Sequence, residues 1–380
     1  MEPIYFDHAA TTRVLPEAAQ AALRAMTEDY GNPSSLYALG TRAAKALADH
    51  REAVAQALGC QAGEVIFTSG GTEGDNWAIS LAAHLGRHRG KHIITTAVEH
   101  AAVLEPCKAL EAQGYQVTYL TPGPDGRVKV SDLEAALRPD TVLVSMMLVN
   151  NETGAIQPVK EAGQVLKRCR SQALLHTDAI QGFLKIPFTP KALGVDLLTV
   201  SGHKIGAMKG SGALYLRAGL RAVPLLRGGG QEKGLRSGTE PTPQIAALAA
   251  ACTLGKAALE DHQTYLTHLK TYALAAFQKA VPGLVVVAAG DAPHICAISL
   301  PGYPSQVVVR WLSDQGFYLS AGSACHRGQA SHVYAAMGLS KPVRDGMLRV
   351  SFGPENTQEE VDRLAQALGT ATQVLLPAGR

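Results

Sequence analysis

Lys204 ends the string Ser201-Gly202-His203-Lys204, directly after a short apolar run, and Asp178 closes another such run with Gln181 soon after it. A lysine amine can form a Schiff base with a carbonyl compound, and a carboxylate can keep a pyridine nitrogen protonated. Pyridoxal 5'-phosphate needs both if its ring is to act as an electron sink. An anion site is suggested as well. In Ser69-Gly70-Gly71-Thr72-Glu73 a glycine pair separates an apolar run from an amphipathic one, so backbone N–H groups at Gly71 and the Thr72 hydroxyl would meet one phosphate at a helix N-terminus. Ser201 and His203 would hold the same phosphate. The string fits neither the Walker A pattern nor GxGxxG, which disfavours a nucleotide. His100, after Val98-Glu99, stands at one more run end.

Cys325 lies in Leu319-Ser-Ala-Gly-Ser-Ala-Cys325-His-Arg-Gly, small residues without the apolar neighbours that usually bury a cysteine. Gly322 and Gly328 would let the segment move, and His326 and Arg327 would favour thiolate. The expected profile is a reactive thiol on a movable loop.

These residues need strand ends to bring them together, because ligands of open parallel sheets bind beyond the carboxyl ends of the strands. Seven short, nearly continuously apolar runs read as strands: 64–70, 92–97, 116–120, 141–149, 173–178, 196–202 and 212–216. Helical patterns separate most of them, which argues for an α/β fold with a mainly parallel, doubly wound sheet. Ser131 with Glu134 three residues on predicts a capping box, and Pro158 opens another helix. One long Ala-rich helix is expected over 244–280, leading into a smaller α+β unit with a final helix near Thr357. The division predicted is 16–250 for the large unit, and 1–15 plus 251–380 for the small one.

Composition narrows the rest. The 380 residues are 46% hydrophobic and 18% charged, enough apolar material for a large core. Net charge is +3 with basic residues dispersed, so nucleic acid is not indicated. The start, MEPIYFDHAATT, lacks the apolar stretch of a secretory signal and no later run reaches the length of a membrane span, so a cytoplasmic protein is expected. The six cysteines are scattered, with no CxxC pair, and read as free thiols without a structural metal.

The strings YFDHAATT, GNPSS, FTSGGTEGDN, VEH, VNNETG, HTDAIQ, SGHKIGAMKGSGALY, GGGQEKGLRSGT, GSAC and LRVSFG follow one another along nearly the whole chain. In that order they closely resemble cysteine desulfurases of the NifS/IscS type, in the class V aminotransferase group of fold type I pyridoxal-phosphate enzymes. The resemblance implies that Lys204 carries the cofactor, His100 stacks on its ring, Asp178 pairs with the ring nitrogen and Gln181 reaches the phenolic oxygen. It implies a phosphate site of Thr72, Ser201 and His203, completed by Thr239 from a second subunit, and hence a homodimer. Arg349 and Asn151 would take the carboxylate of L-cysteine, Lys204 would act as base at the α-carbon, and Cys325 would receive the sulfur as persulfide while L-alanine leaves. The sulfur would go to iron-sulfur clusters or another sulfur-transfer pathway.

This chain also departs from the pattern. The segment after Cys325 looks shorter than in long-loop members and carries His326 and Arg327 where small hydroxylated residues are usual. The tail ATQVLLPAGR lacks the extension with which housekeeping members dock an iron-sulfur scaffold protein. Two other readings stay open at this point: a cystine or selenocysteine C–S lyase or an aminotransferase on the same scaffold, and a non-catalytic sulfur carrier.

Overall fold

Period-2 alternation of side chains decides which face of a sheet each residue covers, and here both faces are apolar. The computed structural model describes residues 3–288, 290–321 and 331–377. The chain begins with β1 (Ile4–Tyr5) and then, after two helices, forms β2 (Val65–Thr68), β3 (His92–Thr96), β4 (Gln116–Leu120), β5 (Thr141–Ser145), β6 (Leu174–Asp178), β7 (Leu197–Ser201) and β8 (Gly212–Leu216). Strands β2 to β8 make one seven-stranded sheet in the order β2-β8-β7-β6-β5-β3-β4. β8 runs antiparallel to both its neighbours; the other pairings are parallel. Phe67, Val144, Leu175, Leu198 and Val200 pack on one face, and Ile66, Leu143, Leu174, Leu197 and Leu214 on the other.

A second sheet follows, built of β9 (Val285–Val286), β10 (Ile295–Ser299), β12 (Ser320–Ala321) and β13 (Met347–Ser351), with β11 (Phe317–Tyr318) outside it. Its order is β12-β13-β10-β9, all antiparallel, while β11 pairs in parallel with β1. Phe6, Leu269, Phe277, Ile298, Val350, Phe352 and Leu368 form its separate core. The final helix, Gln358–Val374, starts at Thr357 with a capping box to Glu360.

Three local expectations need correction. Ser131 is not a cap: the helix is Val130–Ala136 with Lys129 at the N-cap position, and the Ser131 hydroxyl donates to Asp132 instead. The helix begins two residues earlier, after a preceding chain held extended, Val128 N–H donating to the buried Gln157 side chain. The stretch 244–280 is two helices, Thr242–Ala257 and Leu259–Ala280, broken at Ala258 (φ −98°, ψ 4°). The break falls where the buried side chains change core: Ile245, Leu248 and Cys252 belong to the large-sheet core, Leu266, Leu269 and Phe277 to the other. Finally, regular strand stops at Ser145 and not at Val149, although Met146 and Leu148 still donate to the carbonyls of His176 and Asp178.

Glu232 anchors the loop that follows β8. Both its oxygens accept from Arg51 at 2.7 Å, and one also accepts from Phe67 N–H at 3.0 Å. Glu232 is buried and Arg51 mostly so, and Glu232 sits at φ 50°, a left-handed conformation that a non-glycine residue adopts only when its surroundings impose it. Replacing Glu232 with Ala leaves the Arg51 guanidinium in the interior without its counter-charge, and should destabilise the cofactor-free protein by about 3–5 kcal/mol in urea unfolding. A loss below about 1 kcal/mol would show instead that water reaches Arg51 as readily as a surface pair.

Candidate active site

Four strand ends and a helix start converge on one cavity of about 290 Å³. Strand β7 ends at Ser201 and turns through a single 3-10 turn, Gly202–Lys204, which points Lys204 into the cavity. Its Nζ donates to the carbonyls of Ala9 (2.6 Å) and Ala10 (2.7 Å). Strand β6 ends at Asp178, whose carboxyl accepts Ile180 N–H, and Gln181 on the following turn donates to the same Ala9 carbonyl. The helix Gly71–Gly86 starts beside them after Gly70 (φ 150°), with Gly71 and Thr72 on the cavity wall. A side chain at Gly71 would meet the tip of the Ile180 side chain and oblige it to shift. Beyond β3, His100 caps the helix Ala101–Glu111: Nδ1 accepts Ala102 N–H at 3.1 Å, so a neutral ring carries its proton on Nε2.

The remaining wall comes from the second sheet and a turn. Arg349 on β13 is buried; it donates to the Asn151 carbonyl (2.9 Å), to Asp7 (2.9 Å) and to the Ser320 hydroxyl (3.1 Å). Gly71, Thr72, His100, Asn151, Asp178, Gln181, Ser201, His203, Lys204 and Arg349 thus line one space. Thr239 does not; it is exposed on the loop held by Arg51 and by the Arg236–Glu73 ion pair. Cys325, with His326, Arg327, Gly322 and Gly328, lies outside the described residues.

The electrostatics favour a cationic guest beside Asp178. Burial, reinforced by the negative Asp75 nearby, pushes the Asp178 carboxyl up to about 8. A protonated ring nitrogen placed against it would restore the ionised form. His203 is driven the other way, to about 4, by burial and by the neighbouring Lys204 and Lys209, so it is a neutral donor near pH 7. A lysine, a buried acid, a helix N-terminus and a buried arginine on one cavity are the kinds of group that pyridoxal phosphate and an amino acid require.

A family model described as aminotransferase class-V matches residues 4–364. The chain belongs to that family. Members of this aminotransferase class-V group depend on pyridoxal phosphate. The chain is 40% identical over 390 aligned residues to cysteine desulfurase IscS of Methanosarcina thermophila, covering 98% of this chain and 92% of that protein. A solved structure described as a NifS-like protein superposes with TM-score 0.93 at 35% identity, over 98% of this chain and 100% of the other. SspA in complex with cysteine gives TM-score 0.81 at 33% identity, over 93% and 99%. The fold is therefore that of the NifS-like class-V proteins, a mainly parallel seven-stranded sheet with a smaller α+β part.

Several residues of this class-V site escape a residue-by-residue reading of the sequence. Asp7, Ala9 and Ala10 reach it from the chain start, with only the string YFDHAATT as a signal. Asp75 and His176 lie behind Asp178, fully buried, with His176 Nε2 3.5 Å from Asp75 and 3.2 Å from the Thr199 hydroxyl. His176 and Asp178 are two apart on β6 and so share a face, opposite the helix that carries Asp75.

Burial, partly offset by Thr199, raises the Asp75 carboxyl to about 7, against about 3.9 in the unfolded chain. Its contribution to stability is therefore intact below about pH 4 and is lost as the pH climbs to about 7. Between about pH 5.5 and pH 8.5 the cofactor-free protein should lose on the order of 2 kcal/mol through this group, and Asp75→Asn should remove that loss. Urea midpoints at the two pH values check this; an equal effect of the substitution at both would refute it.

Proposed function

We propose that this chain is a cysteine desulfurase that converts L-cysteine to L-alanine and takes the sulfur on Cys325. The observation that carries the reading is the meeting of Lys204 and Asp178, from the ends of the large sheet, with Arg349 from the small one around a single cavity. A sulfur carrier would have no use for a carboxylate clamp facing a cofactor lysine. The likeness to a protein named cysteine desulfurase over 98% of this chain, and to SspA, whose structure holds cysteine, supports the substrate.

Pyridoxal phosphate, when bound, supplies an electron-withdrawing ring that takes up the charge released at the substrate α-carbon. Lys204 would hold it covalently, Asp178 would pair with the ring nitrogen, His100 would stack on the ring face and Gln181 would meet the phenolic oxygen. Thr72, Ser201, the Gly71 N–H and His203 would hold the phosphate. With Nδ1 turned to the Thr11 hydroxyl at 3.2 Å, His203 would donate from Nε2.

Arg349 and Asn151 would take the substrate carboxylate, fixing the α-hydrogen toward Lys204. The freed Lys204 amine would then remove that proton as a general base. The Cys325 thiolate would attack the substrate sulfur: its electron pair makes the S–S bond, and the pair of the broken C–S bond stays with the three-carbon fragment. That fragment takes up one proton at the β-carbon, takes back the α-proton from Lys204 and leaves as alanine, so one difficult cleavage is divided into easier steps.

The other cysteines are poor candidates for this role. Burial pushes the thiols of Cys60, Cys107 and Cys296 up to about 12 and that of Cys252 higher still. Cys169 is exposed, and none of these five lines the cavity. In the same reading Thr239, exposed here, completes the phosphate site of a second copy in a homodimer, and the domains divide at 16–250 and 1–15 plus 251–380. The protein would work in the cytoplasm and pass sulfur to an acceptor such as an iron-sulfur scaffold protein; among the described residues no helix is long and apolar enough to cross a membrane.

Cys325→Ala should keep the visible absorbance of the bound cofactor while alanine formation from L-cysteine disappears. Mass analysis of the wild-type protein after L-cysteine should find added sulfur on the peptide containing Cys325. Undiminished alanine production by Cys325→Ala would point to the lyase reading, in which no protein thiol takes part.

A further inference from the structure

The reading above leaves open what sets the position of the sulfur-accepting segment, and the described residues on either side of it supply an answer. On its N-terminal side, β12 pairs with β13, and the Ser320 hydroxyl donates to Asp7 at 2.8 Å while accepting from Arg349. This ties one root of the segment to the substrate clamp. The other root begins at Ser331, six residues after Cys325. The Ser331 hydroxyl donates to Glu152 Oε2 at 2.6 Å and accepts Val333 N–H at 3.1 Å, capping the helix His332–Ala336. His332 Nε2 lies 2.9 Å from the carbonyl of Glu99, the residue before His100.

Glu152 belongs to a rigid turn. Asn150 accepts the N–H groups of Glu152 and Thr153 at 2.9 Å each and itself donates to the Val98 carbonyl, while Gly154 closes the turn at φ 72°. Asn151, whose carbonyl receives Arg349, sits between Asn150 and Glu152. A carboxylate is costly to bury at such a place without compensation. Burial pushes Glu152 up to about 7, and the Ser331 hydroxyl and the more distant Arg349 are what oppose that. The bond to Ser331 is therefore a principal partner of a buried charge, in contrast to an incidental surface contact.

We propose that Glu152 is a positioning residue: by accepting from Ser331 it fixes where the chain leaves the Cys325 segment, relative to the Arg349–Asn151 clamp beside it. The inference rests on the reading of Cys325 as the sulfur acceptor. It assigns no chemistry to Glu152, which acts only through Ser331.

The test is a double-mutant cycle of Glu152→Ala and Ser331→Ala in the full-length, cofactor-loaded protein, with Ser331→Thr as the rescue that keeps the hydroxyl. Two readouts are taken. The first needs no turnover: Arg327 is the one Lys or Arg between residues 322 and 330, so native-state trypsin cleavage after it reports how firmly the segment is rooted. Cleavage should rise about tenfold in each single variant, no further in the double, and return toward wild type in Ser331→Thr. The second is steady-state and single-turnover kinetics. kcat and the rate of persulfide formation on Cys325 should fall about tenfold with KM for L-cysteine within about twofold, while the early absorbance change on adding L-cysteine keeps its rate. Unchanged cleavage, or singles whose effects multiply in the double, would overturn the link between Glu152 and Ser331. Raised cleavage with unchanged kcat would reduce it to a structural tie and overturn the positioning role. Wild-type protein that makes no alanine would instead defeat the desulfurase reading, an outcome that the cleavage cycle does not depend on.

Discussion

Residues 4–12 hold the two cores together at the point where their chemistry meets. β1 extends the small unit through β11, and Ala9 N–H donates to the Ser351 hydroxyl on β13. The Ala9 carbonyl then accepts from both Gln181 and Lys204, and Thr11 and Thr12 bond to His203. One short stretch of backbone, turning at residues 8–10, thus supplies fixed acceptors to the ends of two large-sheet strands while it is itself paired with the small sheet. Because backbone acceptors cannot be left unsatisfied in the interior, the strip and the strand ends constrain one another.

Around that strip the protein buries more carboxyl groups than a structural core would need. Asp75, Glu99, Glu152 and Asp178 are all buried, and burial raises each of them. Glu99 accepts from Thr96 and from Met147 N–H at 2.8 Å, and Glu152 accepts from Ser331. Hydrogen bonds of this kind offset part of the desolvation of each acid, but they do not cancel it. Asp178 is, among these four, the acid that lines the cavity, where a cationic guest would complete the compensation that the chain alone leaves unfinished. The others brace the strand ends and turns on which the cavity residues stand.

The two units contribute differently. The large sheet presents Lys204, Asp178 and His100 from the carboxyl ends of the parallel strands β7, β6 and β3, where loops leave the sheet in one direction. The small sheet presents Arg349 from the middle of β13, with Ser320 opposite it in the pairing register. An arginine buried there needs a counter-charge, and Asp7 provides it from the shared N-terminal strip. The arginine that would bind substrate and the roots of the Cys325 segment therefore share one set of hydrogen bonds.

The local chemistry of this site was written in the residues themselves. Short apolar runs bounded by glycine announce buried strands, and a strand that ends in Asp178 or in Ser201-Gly202-His203-Lys204 places those groups at a sheet edge whatever lies further away. Helix boundaries were less legible, because the Ser131 capping pattern and the unbroken Ala-rich stretch across Ala258 are both compatible with more than one start or stop. The hydrogen bond from Val128 and the change of core at Ala258 made the choice, and both are long-range. The same holds for Asp7 against Arg349, Asp75 behind His176 and Glu152 against Ser331. Each joins residues far apart in the chain, with no periodicity to mark the pair, so only the packing of one unit on the other could decide them.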